Sequence, residues 1–186
     1  MRDGSGRRPM IGVIGGSGAA KGAEVWRVAE QLGRRLVESG FRIACGGLGG
    51  VMEAACSGAH DAENDFEGCT VGILPGARRS SANRFVDIVV PTDLSHARNA
   101  VVVQADAVAA VGGGAGTLSE MAFAWLRDRL VVALEVEGWS GRLAGVRLDD
   151  RSRQPAPPDD RIFGAADSRE AVEIIEERLP EYGGVP

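Results

Sequence analysis

The sequence predicts an α/β fold: a single Rossmann-like domain built on a parallel sheet with helices on both faces. Three observations predict it. Short apolar runs alternate with segments of helical period. The connections between runs are long enough to hold a helix, as parallel strands require. Three runs also empty directly into glycine-rich turns, at 15–18, 46–50 and 112–116. The 186 residues suit one domain with its own core. The 27 glycines are about twice the usual share of roughly 7%, and they collect at these turns without a repeat period.

The elements follow in order. Residues 1–9 read as a loose tail and 10–180 as the domain. Residues 10–14 are an apolar strand, and Gly15-Gly16-Ser17-Gly18 turns the chain. Val25, Ala29, Leu32 and Leu36 then recur at helical spacing until Gly40 ends the helix. A second strand at 41–45 runs into Gly46-Gly47-Leu48-Gly49-Gly50, and a helix continues to about 62. Its small residues Ala54, Ala55 and Ala59 suit close packing against a sheet.

A third strand covers 70–74 and Pro75-Gly76 stops it. A polar crossing over 77–84 precedes a fourth strand at 85–90. A helix is expected to open at Pro91-Thr92-Asp93 and to include Arg98 and Asn99. The most apolar strand, 107–111, leads through Gly112, Gly113, Gly114 and Gly116 into a helix with Leu118, Ala122, Trp125 and Leu126 on one side. A sixth strand covers 130–134. Residues 136–160 read as an irregular excursion with a small hairpin around 142–148, and 161–164 as a short edge strand. Asp167 caps the last helix, with Glu170 as its reciprocal partner.

All three glycine turns fall at the carboxyl ends of strands, the edge where folds of this class bind ligands. Bare backbone and a following helix N-terminus make each a nest for an anion, most simply a phosphate. The candidate binding residues are Gly15, Gly16, Ser17, Gly46, Gly47, Gly113, Gly114, Gly116, Thr117 and Asn99. Arg98 and Glu120 are the candidate reactive pair. Arg98 offers a forked contact to phosphate or a donor to a leaving group, against the alternative of a solvated arginine. Glu120 either closes a capping box with Thr117 or reaches a ligand. His96 lies two residues before Arg98 and is a weaker candidate for the cleft. His60 reads as a surface residue, and Arg78, Arg79 and Arg84 as a basic group in the crossing.

Composition excludes several classes. A formal net charge of -5 argues against a general nucleic-acid binder. No stretch is long and apolar enough for a membrane span, so no membrane partner is expected. The 3 cysteines are an odd number without ligand spacing, which points to a reducing cytoplasm rather than a disulfide framework. No His/Cys/Asp group has ligand spacing along the chain, so no metal site is expected. Neither a Gly-x-Ser-x-Gly elbow nor a lysine-bearing P-loop is present.

Gly113-Gly114-Ala115-Gly116-Thr117-Leu118-Ser119-Glu120 resembles the Pro-Gly-Gly-x-Gly-Thr-x-x-Glu signature of the LOG family, long labelled lysine decarboxylases. Gly46-Gly47-Leu48-Gly49-Gly50-Val51-Met52 resembles that family's second glycine turn, and His96-Ala97-Arg98-Asn99 its arginine segment. The resemblance implies cleavage of the N-glycosidic bond of nucleoside 5'-monophosphates, giving base and ribose 5-phosphate, with Arg98 and Glu120 as the catalytic pair. That hydrolysis requires no cofactor.

The chain departs from the signature in two places. Gly112 stands where those hydrolases have proline, and Asn99 where they have lysine. Both departures resemble a sister branch that includes relatives of the algal molybdenum-cofactor carrier. That resemblance implies a binder or carrier of a nucleotide or molybdopterin-type ligand, gripped by its phosphate. It also implies a homodimer or higher homo-oligomer. The decarboxylase label has no support, because Lys21 is the one lysine and no pyridoxal-phosphate site surrounds it.

Overall fold

The structure is a computed structural model, and it describes residues 7–183. Seven strands form one all-parallel sheet: β1 (Met10–Gly15), β2 (Arg42–Cys45), β3 (Thr70–Leu74), β4 (Ile88–Pro91), β5 (Ala107–Val111), β6 (Leu130–Leu134) and β7 (Phe163–Ala165). Their spatial order is β4-β3-β2-β1-β5-β6-β7. The order reverses between β1 and β5, where Gly15 pairs with Val111. The carboxyl ends of that pair are where a crevice opens in a fold of this kind.

Every residue of β5 and β6 is buried, which is why both read as unbroken apolar runs. Alternate side chains feed two cores. Ile11, Val13, Ala107, Ala109, Leu130 and Val132 pack under α1 (Glu24–Glu38), α2 (Val51–His60) and α6 (Ser168–Arg178). Ile14, Val108, Ala110, Val131 and Ala133 pack on the other face, under α3 (Asn99–Val102) and α4 (Ala115–Leu126). A short α5 (Trp139–Leu143) adds Leu143 to that second core. No helix among the described residues is long and apolar enough to cross a membrane.

The small residues of α2 serve a closer neighbour than the sheet. A Cβ on Gly33 of α1 would lie 2.7 Å from the carbonyl carbon of Ala55, and one on Gly58 would lie 2.7 Å from that of Glu30. The two helix backbones therefore touch, and glycine is what lets them.

The structure corrects four local expectations. The helix expected from 91 starts later, because β4 runs to Pro91 and Asp93 and Ser95 then take positive φ (55 and 49). A 3-10 turn over Ser95–Arg98 follows before α3 begins. The buried stripe of α4 is Thr117, Glu120, Met121, Ala124 and Trp125, while Leu126 is exposed. Two polar residues continue the core face, so a purely apolar period misplaces it.

In place of a hairpin at 142–148, the chain forms α5, and Gly145 and Val146 bond to Ile162 through the backbone. Nor is the excursion loose. Arg153 is buried, bonds Asp160 Oδ1 at 2.7 Å and stacks 4.0 Å from the Trp125 ring. The Tyr182 hydroxyl donates to the same oxygen at 2.6 Å.

Candidate ligand crevice

Three glycine turns meet at the carboxyl edge of β1, β2 and β5, and each has a separate structural reason. At the first, a Cβ on Gly15 would come within 2.6 Å of Val51 Cγ1. Gly16 O accepts from Val51 N at 3.0 Å, which fastens this turn to the start of α2. At the second, a Cβ on Gly46 would lie 2.7 Å from Met52 Sδ and 2.8 Å from Arg98 Nη2. Its missing side chain is the space that the Arg98 guanidinium occupies. At the third, Gly112 and Gly113 have positive φ (60 and 86) and turn the chain out of β5.

This third turn is held by the excursion. Gly112 N donates to Ser140 Oγ at 2.6 Å, and that hydroxyl donates to Leu134 O at 2.7 Å. Trp139 N and Ser140 N return bonds to Gly113 O and Gly112 O at 3.0 and 3.1 Å. Sequence reasoning missed Ser140. A lone serine in an irregular region carries no signal until the fold sets it beside the turn.

Gly114 and Gly116 differ from Gly15, Gly46, Gly112 and Gly113, and share with Gly18 an open site for a side chain. An added Cβ at either finds nothing within 4 Å among the described residues, and neither has a positive φ. Packing does not require glycine there. Both are exposed, at the N-cap and in the first turn of α4, where backbone amides lack partners inside the helix.

The crevice is about 610 Å³. It is lined by Gly15, Gly16, Ser17, Gly46, Arg98, Asn99, Gly114, Gly116, Thr117 and Glu120, ten of the sequence-predicted residues. Gly47 and Gly113 support it from behind: a Cβ on Gly47 would meet Leu74 at 2.8 Å, and one on Gly113 would meet Thr117 Cβ at 2.6 Å. His96 lines the crevice from an exposed position. Arg78, Arg79 and Arg84 are exposed and do not line it. Pro75 and Ser95, which sequence reasoning passed over, add to the wall beside Leu48 and Met52. They come from the irregular ends of β3 and β4, where no period marks an inward face.

The polar floor is buried. Arg98 Nη1 donates to Glu120 Oε1 at 3.3 Å, while Arg98 Nε has no hydrogen-bond partner among the described residues. Asn99 Nδ2 donates to Ser119 Oγ at 2.8 Å, and Ser119 Oγ donates to Gly116 O at 2.7 Å. Thr117 and Glu120 lie inside α4, and the N-cap is Gly114, so the capping-box alternative is excluded. Burial pushes the Glu120 carboxyl up to about 7 against the opposing pull of Arg98. Near neutral pH this group both donates and accepts a proton. Beneath the second turn, Cys45 Sγ lies 3.6 Å from Cys56 Sγ and accepts from Gly47 N. The Cys56 hydrogen bond holds the Cys45 thiol below its ordinary value.

A second cavity of about 630 Å³ lies along 145–161, where the buried charges Arg153 and Asp160 are paired with each other at 2.7 Å. The glycine crevice is the one that gathers the glycine turns and the sequence-predicted Arg98 and Glu120.

Residues 8–159 match the sequence profile of the SLOG cluster4 family. The chain belongs to that family. An uncharacterised protein of Archaeoglobus fulgidus is 41% identical over 126 residues, covering 67% of this chain and 79% of that one. The molybdenum cofactor binding protein of the phototrophic bacterium Rippkaea orientalis is 33% identical, with a TM-score of 0.75 over 92% of this chain and 97% of that one. The molybdenum cofactor carrier protein of Chlamydomonas reinhardtii is 27% identical, with a TM-score of 0.73 over 94% and 99%. The solved structures to which the chain is similar thus include the molybdenum-cofactor carriers that the motifs lead one to expect.

Proposed function

We propose that this protein binds a phosphorylated small molecule in the glycine crevice and holds it without breaking it, as a carrier, with a molybdopterin-type cofactor as the first candidate. The observation that carries this reading is the bare first turn of α4. Gly114 and Gly116 face space that no protein atom among those described needs, at the positive end of a helix and in a crevice that buried Arg98 also lines. A phosphate fits that chemistry: amides and the helix dipole receive its charge, and Arg98 supplies a fixed cation. A net charge of -5 is no obstacle, since a local nest needs no basic surface. The names of the Rippkaea orientalis and Chlamydomonas reinhardtii relatives support the ligand class.

One observation keeps hydrolysis of a nucleoside 5'-monophosphate in view. A Glu120 carboxyl held near 7 is suited to protonating a departing base. One experiment separates the two. The protein is titrated with molybdopterin-type cofactor, with AMP and with other nucleoside monophosphates, competed with inorganic phosphate, while free base is followed by chromatography. Saturable binding displaced by phosphate, without base release, is the expected result. Base release that disappears in Glu120→Gln would replace the carrier with a hydrolase, and no saturable binding of any of these would refute both. Sedimentation velocity on the same preparation reads the homo-oligomer that the resemblance implies.

Gly116→Ala tests the carrying observation directly. Alanine suits a helix better than glycine by up to about 1 kcal/mol and meets no clash here, so the free protein is expected to gain stability. Ligand affinity is expected to fall about tenfold or more, because the methyl group occupies the phosphate's approach. Unchanged affinity in titration calorimetry would move the ligand elsewhere.

A further inference from the structure

At the opposite edge of the sheet the fold assembles what the chain spacing does not show. His60 ends α2, Cys69 immediately precedes β3, and Asp87 immediately precedes β4. One ligand atom from each lies within 4.8 Å of the other two. We propose that His60, Cys69 and Asp87 form a binding site for a divalent transition-metal ion of the zinc class.

The donor set is one nitrogen, one sulfur and one oxygen, the mixture that zinc accepts in tetrahedral sites. His60 Nε2 lies 3.3 Å from Asp87 Oδ1. Nitrogen and oxygen ligands of a tetrahedral zinc are separated by about 3.4 Å, so this pair is already at binding distance. Cys69 Sγ lies within 4.8 Å of both, so it moves by at most about 1 Å to reach its own ideal separation of roughly 3.6 Å.

The surroundings orient the ligands. His60 Nδ1 lies 3.5 Å from Asp65 Oδ2, so a carboxylate backs the nitrogen that does not face Asp87. The other oxygen of Asp87, Oδ2, accepts from Thr70 N at 3.2 Å, and Asp87 N donates to Thr70 Oγ1 at 3.0 Å. These bonds fix the carboxylate and leave Oδ1 toward the histidine. His60 and Asp87 are partly exposed and Cys69 is fully buried, so an ion enters from the solvent side and leaves its fourth position to water. Phe85 O lies 3.1 Å from His60 Nε2, and an ion bound at that nitrogen takes the place of a proton directed at this carbonyl.

The consequence is a clamp. One ion ties α2, β3 and β4 together at the edge of the sheet. It also secures the crossing that precedes β4, whose Asn83 bonds Leu48 O and Gly47 O at 2.9 Å each. The site lies apart from the phosphate crevice, and its test does not depend on what that crevice binds.

The test is a cobalt(II) titration of chelator-stripped protein at neutral pH. The expected result is a thiolate-to-cobalt charge-transfer band with the visible absorption of a tetrahedral site, displaced by equimolar zinc. Cys69→Ser is expected to abolish the band and Cys45→Ser to keep it. No band in the wild type, or the same band in Cys69→Ser, overturns the proposal. If Cys69→Ser fails to fold by circular dichroism, His60→Gln decides at a partly exposed position. Zinc is expected to raise the melting temperature of the wild type, and His60→Gln is expected to bind at least about tenfold more weakly. An equal shift in both proteins overturns the site.

Discussion

At the scale of single residues, Glu120 is under two opposed forces. Burial favours its neutral form, and Arg98 at 3.3 Å favours the carboxylate. Burial wins, leaving the group near 7 against about 4.5 in the unfolded chain. The folded state therefore holds this proton more tightly than the unfolded state does. The resulting stabilisation is complete below about 4.5 and is lost as pH rises through about 7. Two and a half units correspond to about 3 kcal/mol. The stability advantage of wild type over Glu120→Gln, measured by urea unfolding, is expected to shrink by about that amount between pH 4 and pH 8. A difference that stays flat across this range would mean that Glu120 titrates as an ordinary exposed carboxylate.

At the scale of elements, the α1–α2 contact reverses a common expectation. Replacing a helical glycine by alanine usually adds stability. At Gly33 the new methyl group meets the backbone of Ala55, which cannot rotate away. Gly33→Ala is expected to cost about 1–3 kcal/mol in chemical denaturation, since overpacking exceeds the gain in propensity. The excursion depends on charge instead. Arg153 and Asp160 are both buried, so removing either alone takes from the other its 2.7 Å charge partner. Arg153→Met is expected to destabilise by about 3 kcal/mol, and adding Asp160→Asn to recover part of that loss. A double variant no better than the single would show that the pair does not act as one unit.

At the scale of the whole molecule, the excursion and the crevice are one structure. Ser140 bridges the third glycine turn to the end of β6 through two short hydrogen bonds. Ser140→Ala leaves Gly112 N without its acceptor in a fully buried place. It is expected to cost about 1–3 kcal/mol and to weaken ligand binding, although Ser140 does not line the crevice. Retained affinity would show that the turn keeps its shape unaided.

The sequence by itself determined the α/β class, the all-parallel sheet and the edge where three glycine turns gather. These follow from local signals: buried strands read as apolar runs, turns as glycines, and crossovers as helical periods. It also named Arg98, Asn99, Thr117 and Glu120, because each lies within a few residues of a turn that orients it. Tertiary structure decided what depends on distant partners. Gly114 and Gly116 look like Gly46 and Gly113 in the chain, yet only the fold separates the glycines that packing requires from those that face open space. Thr117 and Glu120 have capping-box spacing, and only the start of α4 at Ala115 places them past the cap. Ser140, Arg153 and the group of His60, Cys69 and Asp87 have no signature along the chain. Their partners lie on other elements, and hydrogen bonds, ion pairs and metal coordination depend on distance in space rather than on spacing in sequence.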